Sequence, residues 1–224
     1  MWDYMFSFIV IGDIASGKSQ LINNMLYPES YYLSRPTLGV EFSSFNMTHK
    51  KRPIKIRLWD TGGANSFYNL SKPYIKTVYG IIITVDLSKS KSLISLHKWI
   101  NLVRVEEKRI SPILVIGTKK NNMCCFNYEN KVKQTCNDYN IDYFEYNLYN
   151  SDPKEPLRIL IDKYYDEINQ KVLGIYNKKE LSTITKPYIK KGIILGPNII
   201  NKKIVKKKSL WNLFQKKKYF NYSK

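Results

Sequence analysis

One stretch near the start constrains this chain more than any other. Gly12, Asp13, Ile14, Ala15, Ser16, Gly17, Lys18 and Ser19 read G-x-x-x-x-G-K-S, directly after Tyr4 to Ile11, an apolar run of strand length. Glycines at that spacing let consecutive backbone N–H groups, including those of Ala15, Ser16 and Gly17, curl around a phosphate. The lysine then reaches the β and γ oxygens, and the Ser19 hydroxyl ligates Mg²⁺. Gln20 to Leu26 reads as a helix whose N-terminal dipole faces the same anion. The pattern demands a strand, a tight loop and a helix in succession, and it predicts a nucleoside polyphosphate as ligand.

Further along, Val40–Thr48 and Ile54–Asp60 are extended candidates joined by His49 to Pro53, which predicts an antiparallel hairpin. Gly80–Asp86 and Ile113–Gly117 are continuous apolar runs, as expected for parallel strands covered on both faces. Between them Leu93, Leu96, His97, Ile100 and Val103 recur at helical spacing, so residues 91–108 read as a crossover helix. Tyr143–Tyr146 reads as a last strand, and Leu157, Ile161, Tyr164, Tyr165 and Ile168 as a closing helix. Strand and helix alternate to residue 170, which predicts an α/β fold with a mostly parallel central sheet, one antiparallel hairpin strand and helices on both faces.

Charge divides the chain in two. Residues 171–224 hold 15 lysines against one acid, Glu180, and so carry +14 of the net +19. We read residues 1–173 as one globular domain and 174–224 as a basic, mobile extension. Cys124, Cys125 and Cys136 are too few for a disulfide framework, and no apolar stretch reaches the roughly 20 residues that span a bilayer. A cytosolic protein, at most peripheral to a membrane, is expected. His49 and His97 have no Cys or carboxylate cluster at metal spacing around them and are read as structural.

Two short segments complete the phosphate site. Thr37 comes 19 residues after Lys18 on an irregular stretch, where its hydroxyl and backbone can meet Mg²⁺ and a γ-phosphate. Asp60, Thr61, Gly62 and Gly63 end an apolar strand, placing a carboxylate to support the metal through water and a glycine N–H to meet the γ-phosphate. Both contacts vanish when that phosphate leaves, which is the physical basis of a switch.

In order and spacing, these motifs resemble the Ras superfamily and, within it, the Rab GTPases, over about residues 4–170. The likeness rests on the phosphate loop, Thr37-Leu38-Gly39-Val40-Glu41-Phe42, Trp59-Asp60-Thr61-Gly62-Gly63, Ile116-Gly117-Thr118-Lys119, and Pro73 to Gly80. It implies a small G domain of the P-loop NTPase class, a guanine nucleotide with Mg²⁺ (GTP/GDP), GTP hydrolysis involving Thr37 and Gly63, and a monomer. It also implies exchange and effector proteins at the switch regions, with Phe42, Trp59 and Tyr74 as the aromatic triad that effectors read. The plainer reading of those three aromatics is core packing.

The chain departs from the family at the chemistry. Ala64 stands where a glutamine orients the attacking water, and its methyl group can neither donate nor accept a hydrogen bond. Ile14 occupies a phosphate-loop position that the family keeps small, crowding the space an arginine finger uses. Slow hydrolysis is the consequence. The base motif, normally Asn-Lys-x-Asp, reads Thr118-Lys119-Lys120-Asn121, with Lys119 packing on the base. An Asn amide offers one acceptor and two donors, so guanine loses a charge-assisted bond and a xanthine-like base is better matched. Asn147 and Leu148, with Tyr149, replace the Ser-Ala-Lys run that backs the base.

The end of the chain, Phe220 to Lys224, carries no prenylated cysteine, and Trp2 is not the glycine that myristoylation requires. What remains is Lys202, Lys203, Lys206, Lys207 and Lys208, then Leu210, Trp211, Leu213 and Phe214, then Lys216, Lys217 and Lys218. Basic clusters around an aromatic patch suit an anionic membrane surface. They also suit nucleic-acid phosphates, a reading ranked last because the globular part offers no stacking platform. A third reading is a pseudo-GTPase that keeps the effector face and turns nothing over.

Overall fold

Continuous apolar runs become the central strands. The computed structural model describes residues 2–28, 35–63, 68–106, 111–119, 126–163, 165, 189–190 and 193–195. In chain order the principal strands are β1 (Tyr4–Gly12), β2 (Val40–His49), β3 (Arg52–Thr61), β4 (Gly80–Asp86), β5 (Ile113–Thr118) and β6 (Asp142–Glu145). They lie side by side as β2-β3-β1-β4-β5-β6, all parallel except β2, which runs antiparallel to β3. The helices are α1 (Lys18–Leu26), α2 (Tyr68–Ile75), α3 (Lys91–Glu106), α4 (Phe126–Asp138) and α5 (residues 155–163). This is the expected α/β architecture, a mostly parallel sheet with one antiparallel hairpin strand and helices on both faces.

The two-residue period of a strand divides the core. From β1, Tyr4, Phe6, Phe8 and Val10 face Leu21 and Met25 of α1 and Leu157, Leu160 and Ile161 of α5. Ile9 and Ile11 face the other way, toward Ile75 of α2, Leu96 and Ile100 of α3, and Val132 and Cys136 of α4. With both faces covered, nothing polar needs to alternate along β1, so the sequence reads as a near-continuous apolar run interrupted only by Ser7. Each such fully buried side chain contributes roughly 1.5–3 kcal/mol. Burial also pushes the Cys136 thiol up to about 12, so that this cysteine behaves as a core residue and not as a nucleophile.

Parallel pairing brings the C-terminal ends of β1, β3, β4 and β5 to one edge, where Gly12, Asp60, Asp86 and Thr118 meet. The chain leaves β1 into α1 on one face of the sheet and leaves β4 into α3 on the other. That reversal opens a crevice at the strand ends, the usual ligand position in such sheets.

Three features differ from the sequence-based expectation. The β2–β3 turn is tighter than a His49-to-Pro53 linker, because His49 pairs with Arg52 and only Lys50 and Lys51 remain in the loop. Both lie at positive φ, 45° and 61°, the twist a two-residue hairpin needs, supplied here by lysines and not by Asn-Gly. Helices α2 and α4 were not expected. In α4 the buried apolar stripe consists of Val132 and Cys136, one turn apart, which is too thin to read as a helical period.

The third difference lies in the stretch expected to be mobile. There, β7 (Ile189–Lys190) and β8 (Ile193–Leu195) form an antiparallel pair, and β8 pairs antiparallel with β1 from Tyr4 to Phe6. The place exists because β4 joins β1 only from Phe8 onward, leaving the first residues of that β1 edge unpaired by β4. Tyr164, Ile168 and residues 202–224 lie outside the described residues. Among the described residues no helix is long and apolar enough to cross a membrane.

Candidate functional site

Gly12 ends β1 at φ 144°, and a Cβ there would sit 2.5 Å from the Thr84 carbonyl oxygen, so only glycine lets the loop leave the sheet at this point. The loop then turns back to Gly17, the N-cap of α1. Ser16 is fully buried and its Oγ lies 2.6 Å from Thr84 Oγ1 of β4. Thr118 Oγ1, at the end of β5, donates to the Ser16 carbonyl at 2.8 Å or to Val85 O at 3.1 Å. Three strands therefore fix the loop from below, and within it Ser16 N–H donates to the Asp13 carbonyl at 3.2 Å.

Lys18 is 5% exposed and donates from Nζ to the carbonyls of Gly12 (3.0 Å) and Asp13 (2.7 Å), which stretches it along the inside of the loop. Burial lowers its pKa to about 8, against the opposing pull of Asp60 and Asp13. An anion in the crevice would relieve that desolvation.

Ser19, Thr37 and Asp60 converge as expected. Ser19 Oγ lies 2.8 Å from Thr37 Oγ1 and donates to Asp60 Oδ2 at 2.5 Å, and Thr37 Oγ1 is 3.1 Å from the same carboxylate oxygen. Burial raises the Asp60 pKa despite the hydroxyls that donate to it, and its other oxygen, Oδ1, is buried with no hydrogen-bond partner. Oxygens about 2.9 Å apart form the edge of an octahedron with metal–oxygen bonds of about 2.0–2.1 Å. Hard oxygen donors at that spacing beside an unsatisfied carboxylate oxygen fit Mg²⁺, which would be held by Ser19 and Thr37 and supported by Asp60. When bound it would neutralise charge on the β and γ oxygens.

Gly63 lies directly against the phosphate loop. A Cβ at this position would overlap the backbone of Asp13 and Ile14, so glycine alone permits the approach. The segment bearing Gly63 is also joined to the one bearing Thr37, since Gly62 N–H donates to the Gly39 carbonyl at 2.8 Å. Ile14 is 61% exposed and lines the phosphate end of the crevice. Ala64 lies outside the described residues, as does Asn121.

The crevice has two lobes that share Ala15, Gly17 and Gln20. The phosphate lobe, about 300 Å³, contains Lys18, Ser19, Thr37 and Gly63. The other, about 410 Å³, is bounded by Thr118, Lys119, Tyr146, Asn147, Leu148 and Tyr149, where a base is expected. Lys119 Nζ donates to the Ala15 carbonyl (2.5 Å) and to Asp86 Oδ2 (2.9 Å), its chain spanning the gap between phosphate loop and β4. Asn147 Oδ1 accepts from Tyr149 N–H at 3.0 Å, which folds the 147–151 turn into a firm wall. Tyr146 forms the floor, its hydroxyl accepting from Asn24 Nδ2 at 2.8 Å.

Several supporting residues escaped the sequence reading. Asp86 is buried, and although burial alone would raise its pKa, bonds from Ser88 and Lys119 hold it below the ordinary carboxylate value. Its charge anchors Lys119 over the base lobe. Trp99 of α3 donates from Nε1 to Asp13 Oδ1 at 2.9 Å, and its ring lies 5.2 Å from that of Tyr68 at the start of α2. Through it the phosphate loop touches the helix that comes after Gly63. Lys119 is 33 residues from Asp86 and Trp99 is 86 residues from Asp13, so no local pattern announces these pairs.

Phe42, Trp59 and Tyr74 do meet, with ring centroids 4.9 Å and 4.8 Å apart in succession. Phe42 is half exposed, and the Arg57 guanidinium lies 5.0 Å from its ring centre. The cluster thus opens to solvent at its Phe42 end, while Trp59 and Tyr74 pack against the core.

Together these features define a phosphate-loop nucleotide-binding domain of small G type. Residues 7–155 match the Ras family, and the chain belongs to that family. Among curated proteins it is similar to Ras-related protein RABA3 of Arabidopsis thaliana, with 31% identity over 52% of this chain and 49% of the relative. It is also similar to GTP-binding protein ypt3 of Schizosaccharomyces pombe (30%, over 53% and 55%) and to Ras-related protein YPTC6 of Chlamydomonas reinhardtii (25%, over 77% and 81%). The chain spans about half the length of RABA3 and ypt3.

Proposed function

We propose that this chain is a Rab-like, Mg²⁺-dependent GTP/GDP switch of vesicle traffic with slow hydrolysis. The observation that carries the reading is the Ser19–Thr37–Asp60 oxygen cluster, set beside Lys18 and Gly63 at the phosphate end of one crevice. The loops bearing Thr37 and Gly63 each touch the phosphate site, so loss of a γ-phosphate would release both. Phe42, Trp59 and Tyr74 adjoin those loops and would present an altered surface to effector and exchange proteins. The Lys-rich stretch beyond residue 200 supplies attraction to an anionic membrane.

Slow turnover rests on Ala64 and Ile14. Single-turnover hydrolysis of preloaded GTP is the test. Ala64→Gln is expected to raise the rate about tenfold or more, because a side chain that orients water is restored. Phosphate release by the native chain as fast as by the variant contradicts slow turnover through Ala64. The pseudo-GTPase reading is favoured by the Ile14 side chain at the phosphate lobe, and it predicts no release from either protein over hours.

A further inference from the structure

Arg35 stands two residues before Thr37 and lines the phosphate lobe with Ile14, Lys18, Ser19 and Gly63. Its side chain is exposed, and among the described residues it has no hydrogen bond and no ion pair. The other described arginines are all engaged. Arg52 pairs with Asp3, Arg57 lies over Phe42 and Trp59, Arg104 donates to the Tyr139 carbonyl, and Arg158 bridges Asp152 and Glu155. A guanidinium is always charged and offers donors in a planar fork that matches two phosphate oxygens. The guanidinium and the Lys18 ammonium thus belong to two residues that line one cavity. Both groups call for negative charge, and no carboxylate among the described residues answers Arg35.

We propose that Arg35 recognises the γ-phosphate in cis. Its guanidinium pairs with terminal oxygens of the bound triphosphate, so the loop carrying Thr37 holds the γ-phosphate through a side chain as well as through the metal site. The inference rests on the proposed nucleotide function and deepens it. A diphosphate lacks those oxygens, and Arg35 then returns to solvent. The residue thereby adds to the preference of this loop for the triphosphate state. Being exposed and without a protein partner among the described residues, Arg35 can be replaced without loss of the fold.

The test compares Mg·GDP and Mg·GTPγS affinities of the full chain, of Arg35→Ala and of Arg35→Lys, by titration calorimetry. Arg35→Ala is expected to leave GDP affinity within about twofold and to weaken GTPγS about 10- to 100-fold, the loss of one bidentate charged contact. Arg35→Lys should fall between, since an ammonium keeps the charge and loses the fork. Equal weakening of both nucleotides by Arg35→Ala, or an unchanged ratio, overturns the proposal while leaving the nucleotide reading in place. Failure of the native chain to bind either nucleotide removes both.

Discussion

Lys18→Ala is expected to abolish nucleotide binding. In the structure Lys18 lines the phosphate lobe while its Nζ holds the carbonyls of Gly12 and Asp13, so the same ammonium is within the lobe where β and γ oxygens would lie. Two charge-assisted contacts at about 1.5–3 kcal/mol each amount to a loss on the order of 10²- to 10⁴-fold in Kd. The effect belongs to binding and not to folding. A cation with only 5% exposure is itself a desolvation burden, as its lowered pKa of about 8 reflects, so removing it does not unfold the loop. Lys18→Met, which keeps the side-chain volume, should lose affinity equally. Circular dichroism unchanged beside absent calorimetric binding is the expected pair of results. GDP affinity within a few-fold of the native value in both variants contradicts the role given to Lys18.

The second large effect concerns the base. Guanine presents N1–H and N2–H₂ as donors on the edge that the family's aspartate reads, and Asn121, which stands at that position of the motif, would offer them one acceptor and two donors of its own. Xanthine replaces the exocyclic amine by a carbonyl, which an amide N–H can satisfy. The native chain is therefore expected to bind XTP at least as tightly as GTP. Asn121→Asp should shift the GTP-to-XTP preference toward guanine on the order of 10²-fold or more, the worth of a restored pair of charged hydrogen bonds. The wall formed by Tyr146, Asn147 and Tyr149 stays the same in both proteins, so competition titrations isolate the one changed group. Strong preference of the native chain for GTP over XTP would show that another residue supplies the missing carboxylate function.

The fold was legible where one physical pattern dominated. Strands buried on both sheet faces are mostly apolar along their length, so β1, β4 and β5 announce themselves as near-continuous apolar runs, and the Gly12 to Ser19 motif dictates a tight loop and a helix after β1. The phosphate end of the site was legible for the same reason, because loop, hydroxyls and carboxylate come with fixed spacings. The rest depends on contacts across the fold. Asp86 gains its role only when β4 comes alongside β5 and places it under Lys119, and Trp99 only when α3 brings its indole to Asp13. The α4 stripe of Val132 and Cys136 was too sparse to register. Ile193 to Leu195 is three residues in a lysine-rich stretch, and what makes it a strand is the β1 edge that β4 leaves open. Arg35 was hidden in a different way, since nothing in a single arginine tells whether a carboxylate will lie beside it.

The central claim is that loop, hydroxyls and carboxylate together hold a Mg²⁺-bound nucleoside polyphosphate. Calorimetric titration of the full chain with GTPγS, XTP and ATP, each in excess Mg²⁺ and again in EDTA, tests it most directly. A Kd on the order of micromolar or tighter for a guanine or xanthine nucleotide, weakened at least about tenfold by EDTA because Ser19, Thr37 and Asp60 then lose their metal, is the predicted result. No binding of any of the three at millimolar concentration, or binding indifferent to Mg²⁺, would contradict it.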